Sequence, residues 1–166
     1  MYKVFVKIII CIFFSGCASS INSKLDLYKK AELLENEQKY LEAAKIFDQI
    51  IDNAESSGIS DDKLWVSYLT AGHNYRKANF PKNAIDRYKI VLTRYKGELQ
   101  TEDIASLTEL IGNLYMQMDE YEDAMSYYNS ALEIQTKTER ILVILSSYVT
   151  AYMKMGDHDN ARRLLT

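Results

Sequence analysis

The chain has 166 residues, with 20 Lys and Arg against 23 Asp and Glu, a formal net charge of −3, and two cysteines. That length holds about one domain, and a slightly acidic balance with no basic stretch argues against recognition of nucleic acid or anionic lipid by charge. One proline and six glycines in a chain rich in Leu, Ile, Ala, Lys and Glu predict helix throughout, because helix interiors exclude both residues, and no alternating apolar run of strand length is present.

At the amino end, Lys3 and Lys7 flank an apolar run from Ile8 to Phe14 that leads into Phe14-Ser15-Gly16-Cys17-Ala18. A cationic start, an apolar core of about 7–15 residues and small residues before a cut are the parts of a secretory signal. A spanning helix needs about 20 apolar residues, and the run from Val4 to Phe14 is shorter and interrupted by Lys7. With a cysteine directly after Ser15-Gly16, the segment resembles a bacterial lipoprotein signal peptide, although Phe14 stands where that family usually has leucine. The resemblance implies removal of residues 1–16, lipidation of Cys17, and a lipidated N-terminus and tether over 17–24, which leaves 25–166 for the domain whose repeats are described next. Ala18 after the lipidated residue implies sorting to the outer membrane, facing the periplasm. Cys11 and Cys17 are the two cysteines, so the exported domain would hold no disulfide and depend on packing. Without residues 1–16 the chain keeps 18 basic and 23 acidic residues, a net charge near −5.

The remainder repeats itself. Ala71-Gly72-His73-Asn74-Tyr75 and Ile111-Gly112-Asn113-Leu114-Tyr115 lie 40 residues apart. Each is followed by an alanine-centred segment, Asn83-Ala84-Ile85-Asp86-Arg87-Tyr88 and Asp123-Ala124-Met125-Ser126-Tyr127-Tyr128. An earlier copy reads Tyr40-Leu41-Glu42-Ala43-Ala44-Lys45-Ile46-Phe47 and a later one Gly156-Asp157-His158-Asp159-Asn160-Ala161. Self-similarity at such a period marks a repeat architecture. These residues resemble the tetratricopeptide repeat (TPR), a pair of antiparallel helices A and B. The resemblance implies an all-α fold: a right-handed α-α superhelix of about three full TPR-like helix pairs plus a partial fourth. Its helix A signature falls on Ala31 with Leu34, Gly72 with Tyr75 and Gly112 with Tyr115. Its helix B signature falls on Ala43 with Phe47, Ala84 with Tyr88 and Ala124 with Tyr128. Ala131 makes the next small contact, where Ile50 and Val91 stand in the first two copies. Residues three or four apart share a helix face, so a small residue admits the partner helix and the aromatic fills the space beside it. The period of 40 to 41 residues exceeds the family's, about 34, no copy closes with proline, and the fourth copy has Val149 at the small position before Tyr152.

Local signals mark boundaries. Ser60, Thr101 and Thr138 precede acidic residues and are expected as N-caps. Gly97 and Gly156 are expected as helix stops. Pro81, tolerated only in a first turn, sets a helix start near Phe80. Glu55-Ser56-Ser57-Gly58 is expected as a linker and Ala18 to Ser23 as a polar tether.

No catalytic constellation is legible. His73 and His158 have no metal-ligand spacing, and no Ser-His-Asp set or glycine-rich phosphate loop occurs; catalytic, cofactor and metal sites are all expected to be absent. The resemblance implies instead a concave groove lined by helix A side chains: Tyr28, Glu32 and Glu35, then Leu69, His73 and Arg76, then Glu109, Asn113 and Met116, with Ser146 and Thr150 in the fourth copy. A family clamp for C-terminal carboxylates pairs a lysine with an asparagine; Asn113 matches, but Glu109 stands at the lysine position. The expected function is a membrane-anchored, non-enzymatic TPR scaffold or adaptor that binds a protein or peptide of the cell envelope and assists assembly of an envelope complex. The alternatives are an accessory subunit or regulator of a peptidoglycan-active enzyme, or the anchored front of a longer TPR protein.

Overall fold

A computed structural model of the chain describes residues 25–57 and 64–165. The signal segment, Cys17, the tether, Gly58 and the expected Ser60 cap lie outside the described residues. Every regular element among the described residues is helical: α1 over 25–36, α2 (Tyr40–Ser57), α3 (Leu64–Lys77), α4 (Pro81–Arg94), a short 3-10 turn (Lys96–Glu98), α5 (Thr101–Gln117), α6 (Tyr121–Ile134), α7 (Thr138–Met155) and α8 (His158–Arg163).

The helices come in pairs, and the pairing is written in the turns. Each A helix ends in the same two backbone bonds. In the outer bond, Lys39 N–H donates to Leu34 C=O at 2.8 Å, Phe80 to Tyr75 at 2.9 Å, Glu120 to Tyr115 at 3.0 Å and Asp157 to Tyr152 at 2.9 Å. In the inner bond, Gln38, Asn79, Asp119 and Gly156 donate to the C=O of Glu35, Arg76, Met116 and Met153 at 3.0 to 3.2 Å. These four inner donors have a left-handed backbone: Gln38 (φ 59), Asn79 (φ 64), Asp119 (φ 60) and Gly156 (φ 79). This double closure satisfies carbonyls that a helix end leaves open. Each B helix then begins alike, with Ala43, Ala84, Ala124 and Ala161 donating to the C=O of Lys39, Phe80, Glu120 and Asp157. The fourth copy, weak in side chains, therefore has the backbone of the other three.

The side chains that define the repeat are buried. Ala31, Ala43, Ala84, Ala124 and Ala131 are wholly buried, and Phe47, Tyr75, Tyr88, Tyr115 and Tyr128 are at most 9 % exposed; Gly72 and Gly112 are buried too. Gly112 shows why its position is small. A Cβ there would lie 2.7 Å from Tyr128 Cε1 and 2.8 Å from Cδ1, distances that no side-chain contact tolerates.

Three boundary expectations are corrected. Thr101 and Thr138 are the first residues of α5 and α7; the caps are Gln100 and Lys137, neither of which makes a side-chain capping bond. The amide of Lys137 is instead taken by Gln135 Oε1, which also accepts from Thr136. Gly97 sits inside the 3-10 turn, and α4 has already ended at Arg94 with Tyr95 as its cap. Glu55 to Ser57 are helical: α2 continues through them, and the Ser56 and Ser57 hydroxyls donate back to the carbonyls of Asp52 and Ala54 within it. Pro81 does open α4 with Phe80 as N-cap, and Gly156 is the left-handed cap of α7.

The described residues form two compact units, one closing at Asn74 and the other opening at Tyr75. In the first, the Tyr28 ring meets Phe47 edge-on at 6.1 Å, and Tyr68 donates to Glu55 at 2.7 Å. In the second, α5 packs chiefly on α6, and α6 on α7. Tyr115 stacks on Tyr127 at 5.4 Å, and the Lys89 ammonium donates to the Tyr115 hydroxyl at 2.7 Å while lying over both rings. That hydroxyl holds the Lys89 pKa above its usual value.

Candidate protein-binding faces

Packing consumes the small and aromatic stripe of each A helix and leaves an adjacent stripe one turn away. In the first unit, Tyr28 is half-buried and its hydroxyl shares a 2.7 Å hydrogen bond with Ser67 Oγ. Glu35 accepts from Asn74 Nδ2 at 2.5 Å; Asn74 is 1 % exposed and also donates to Thr70 C=O. Glu32 is exposed, and Leu69 and His73 are half-buried. Two of the expected contact residues, Tyr28 and Glu35, are thus engaged in joining α1 to α3.

In the second unit the expected lining is brought together only in part. Asn113, Ser146 and Thr150 are placed on the outward side of their helices, Asn113 and Thr150 exposed and Met116 half-buried. Arg76 is exposed, and its guanidinium bonds the buried Tyr88 hydroxyl, whose pKa burial pushes up to about 12. Glu109 departs from the expectation of a groove side chain. It is 4 % exposed, and Arg140, from the first turn of α7, closes over it with Nη2 2.5 Å from Oε2. Burial holds the Glu109 carboxyl above its ordinary range, opposed by the Arg140 charge and by hydrogen bonds from Arg140 and Asn113.

Glu109 belongs to a locked polar network. Tyr128, 1 % exposed, donates its hydroxyl to Asn113 Oδ1 at 2.7 Å. Burial pushes this phenol up to about 12 as well, against a hydrogen bond with Ser147. The tyrosine that fills the space over Gly112 therefore also orients the asparagine on the exposed face. A buried network is favourable when its members are satisfied, and this one fixes α5, α6 and α7 in register. Arg140, Ser147 and Val143, which is 47 % exposed, are the face residues that the sequence did not reveal. No local spacing links Arg140 to Glu109, 31 positions away; only alignment of the fourth copy on its turn brings them together.

The face thus built offers amide, hydroxyl and guanidinium groups around modest apolar surface, on a rigid helical frame. Among the described residues no group of three or more His, Cys, Asp or Glu could hold a metal, and no described helix is long and apolar enough to cross a membrane. What fold and faces define is a TPR-like helical-repeat scaffold suited to protein–protein interaction, a class whose members are typically adaptors without enzymatic activity.

Comparison with known proteins gives the family. The profile of SNAP, soluble NSF attachment protein, matches residues 7–157, and the chain belongs to this family. Among solved structures it is similar to a protein from Podosopora anserina described as a kinesin light chain with nearly identical TPR-like repeats. The TM-score is 0.61 at 15 % identity, over 84 % of this chain and 70 % of that one. It is also similar to the MamA protein, with a TM-score of 0.52 at 18 % identity over 86 % and 76 % of the two chains. At such identities the likeness is one of fold alone. The search of curated proteins finds no match. The TPR-like repeat read from the sequence agrees with these neighbours, and the family itself is SNAP.

Proposed function

We infer that this protein is a docking scaffold held at a membrane by its amino end, which binds a protein or peptide on the A-helix faces of its repeats and assists assembly of an envelope complex. The observation that carries the docking role is the division of labour within each A helix. One stripe is spent on small-aromatic packing, and the next, with Asn113 and Thr150 in the second unit, stays exposed on rigid elements. Rigid display of polar and apolar groups beside a packed core is how repeat proteins form extended binding surfaces. An attachment protein is by name one that docks another protein, and the family assignment supports this general role. The anchoring part of the reading rests on Lys3, Lys7, the apolar run and Cys17. On that reading the protein sits in the cell envelope, lipid-anchored at the outer membrane and facing the periplasm.

Crosslinking of the anchored protein in living cells followed by mass spectrometry tests the docking role. A specific envelope partner, lost when Ser146→Arg and Thr150→Arg obstruct the A-helix face, is the expected result. Retention of the partner by that variant overturns the assignment of the face. Cys17→Ser tests the anchor separately: the variant should leave the detergent phase, and a variant that still partitions there refutes lipidation.

A further inference from the structure

In the second unit, the carboxylate that α5 buries, Glu109, receives the Arg140 guanidinium from the next A helix. The first unit also holds a carboxylate that is partly buried, Glu35 near the end of α1, and there the next A helix sends an amide, Asn74. An amide joins the helices but supplies no charge, and Glu35 forms no ion pair with a lysine or arginine among the described residues. Asn74 is 1 % exposed. Its nitrogen lies 2.5 Å from Glu35 Oε1 and 3.0 Å from Thr70 C=O, both acceptors. The nitrogen must therefore face them, which directs Oδ1 elsewhere, and that oxygen is buried with no hydrogen-bond partner among the described residues. The hydroxyls beside it are spent: Thr70 Oγ1 donates to Val66 C=O, and Ser67 Oγ shares its bond with Tyr28. Glu32, one turn before Glu35 on the same face, is exposed. This face thus presents two carboxylates and an unmet amide oxygen, all of them acceptors, and a buried acceptor without a donor is a cost that a bound donor removes.

We propose that the A-helix face of the first unit is a binding site for an arginine side chain of the partner, held by Glu35 and Asn74. The guanidinium donates to the second oxygen of Glu35. As the Glu35 side chain turns outward, still accepting from Asn74, a further N–H reaches Asn74 Oδ1. A planar fork of donors meets two such oxygens at once, which the point charge of an ammonium does less well. Arg140 on Glu109 is the chain's own example of the pairing. Because Glu35 is half-buried, water screens its charge less than that of a surface carboxylate, and the exposed Glu32 adds attraction at longer range that salt weakens. The inference rests on the docking reading of the A-helix faces and names the chemistry of one of them.

The probe is an acetylated and amidated alanine tripeptide with arginine in its middle position, titrated into the isotope-labelled full chain and followed by the NMR signals of the Asn74 side-chain amide. A saturable shift is expected, and none when citrulline, an uncharged isostere, replaces the arginine. Glu35→Gln should weaken binding at least about tenfold, the loss of one charge-assisted bond. The variant keeps the fold, because glutamine still accepts from Asn74 and can donate to its Oδ1, and circular dichroism verifies this. Glu122→Gln removes an exposed charge from α6 in the second unit and should leave binding unchanged. Absence of a saturable shift, an equal response to the citrulline peptide, binding of a lysine peptide as tight as that of the arginine one, or equal weakening by Glu122→Gln overturns the proposal. Ser146→Arg with Thr150→Arg alters only the second unit and should leave arginine binding intact, which separates failure of this site from failure of the docking face there.

Discussion

Replacing Gly112 by alanine adds one methyl group, and the structure says where it goes. The new Cβ meets the Tyr128 ring at 2.7 and 2.8 Å and the Ala124 carbonyl oxygen at 3.2 Å. A flexible neighbour could yield cheaply, but Tyr128 is 1 % exposed and its hydroxyl is tied to Asn113 at 2.7 Å. Overpacking of this kind costs about 1–3 kcal/mol. Alanine returns about 1 kcal/mol of helix propensity over glycine, so a net loss of about 1–2 kcal/mol is expected, the upper part because the ring cannot swing aside. Urea denaturation of the variant against wild type measures it. Hydrogen exchange locates it: amides of α5, α6 and α7 should lose protection before those of α1 and α2, because repeats couple mainly to their neighbours. Tyr128→Leu should cost less in the Gly112→Ala background than alone, the mark of two residues in contact. Gly97→Ala is the control, since a Cβ there meets nothing within 4 Å, and it should be neutral or gain up to about 1 kcal/mol. If Gly112→Ala is as harmless as Gly97→Ala, the close helix approach on which the repeat argument depends is refuted.

Three further changes have defined outcomes. Gln38→Gly should raise stability by about 0.5–1 kcal/mol, because a left-handed backbone costs an ordinary L-residue about 1–2 kcal/mol and glycine's extra chain entropy cancels only part of that gain; the same change at Asn79 or Asp119 should gain less, since Asn and Asp tolerate this region, and thermal midpoints compare the three. Asp157 accepts from Asn160 N–H at 3.1 Å and from its side-chain amide at 2.7 Å, bonds that hold its carboxyl below the ordinary 3.8. The cap should therefore stabilise α8 at neutral pH and fail only as pH falls below that range, and Asp157→Ala should give at pH 7 the fraying of α8, read by hydrogen exchange, that wild type shows only in strong acid. Burial raises the Glu109 carboxyl above its ordinary 4.5, so its ionised form costs folding stability above the raised value and that cost is relieved as pH falls through it. The difference in urea midpoint between wild type and Glu109→Gln should then change between about pH 7 and pH 4; a constant difference would show that Glu109 does not titrate differently in the folded state.

Much of the fold is legible in the sequence because its determinants are local and repeated. A small residue three before a tyrosine, and an alanine four before an aromatic, are steric requirements of two helices at close range, and Gly112 under Tyr128 displays the requirement in atoms. The boundaries read less well where a side chain has two possible roles. Thr101 and Thr138 look like caps, yet as first helical residues they leave capping to others, and the Gln135 side chain, three residues ahead of α7, receives the Lys137 amide in a way no N-cap rule anticipates. The left-handed residues Gln38, Asn79 and Asp119 recur once per repeat but signal it weakly, because Asn and Asp favour this region less strongly than glycine and Gln not at all. Only Gly156, the fourth of the set, carries the usual signal.

The binding faces are less legible because exposure depends on what the neighbouring helix brings. Glu109 is placed by its register beside the packed glycine, on a turn open to solvent in a single helix. Arg140 closes that turn, and its arrival converts a surface carboxylate into a buried one. Asn113 changes meaning in the same way, since its exposed amide is also the acceptor for a buried phenol. Truncating Asn113 would therefore disturb the Tyr128 packing as well as any contact with a partner, because a buried hydroxyl left without its acceptor costs about 1–3 kcal/mol. Loss of binding in an Asn113→Ala variant is accordingly weak proof of a contact. Obstruction at Ser146 and Thr150, whose side chains carry none of the inter-helix bonds described for this network, is the sharper test of where a partner sits.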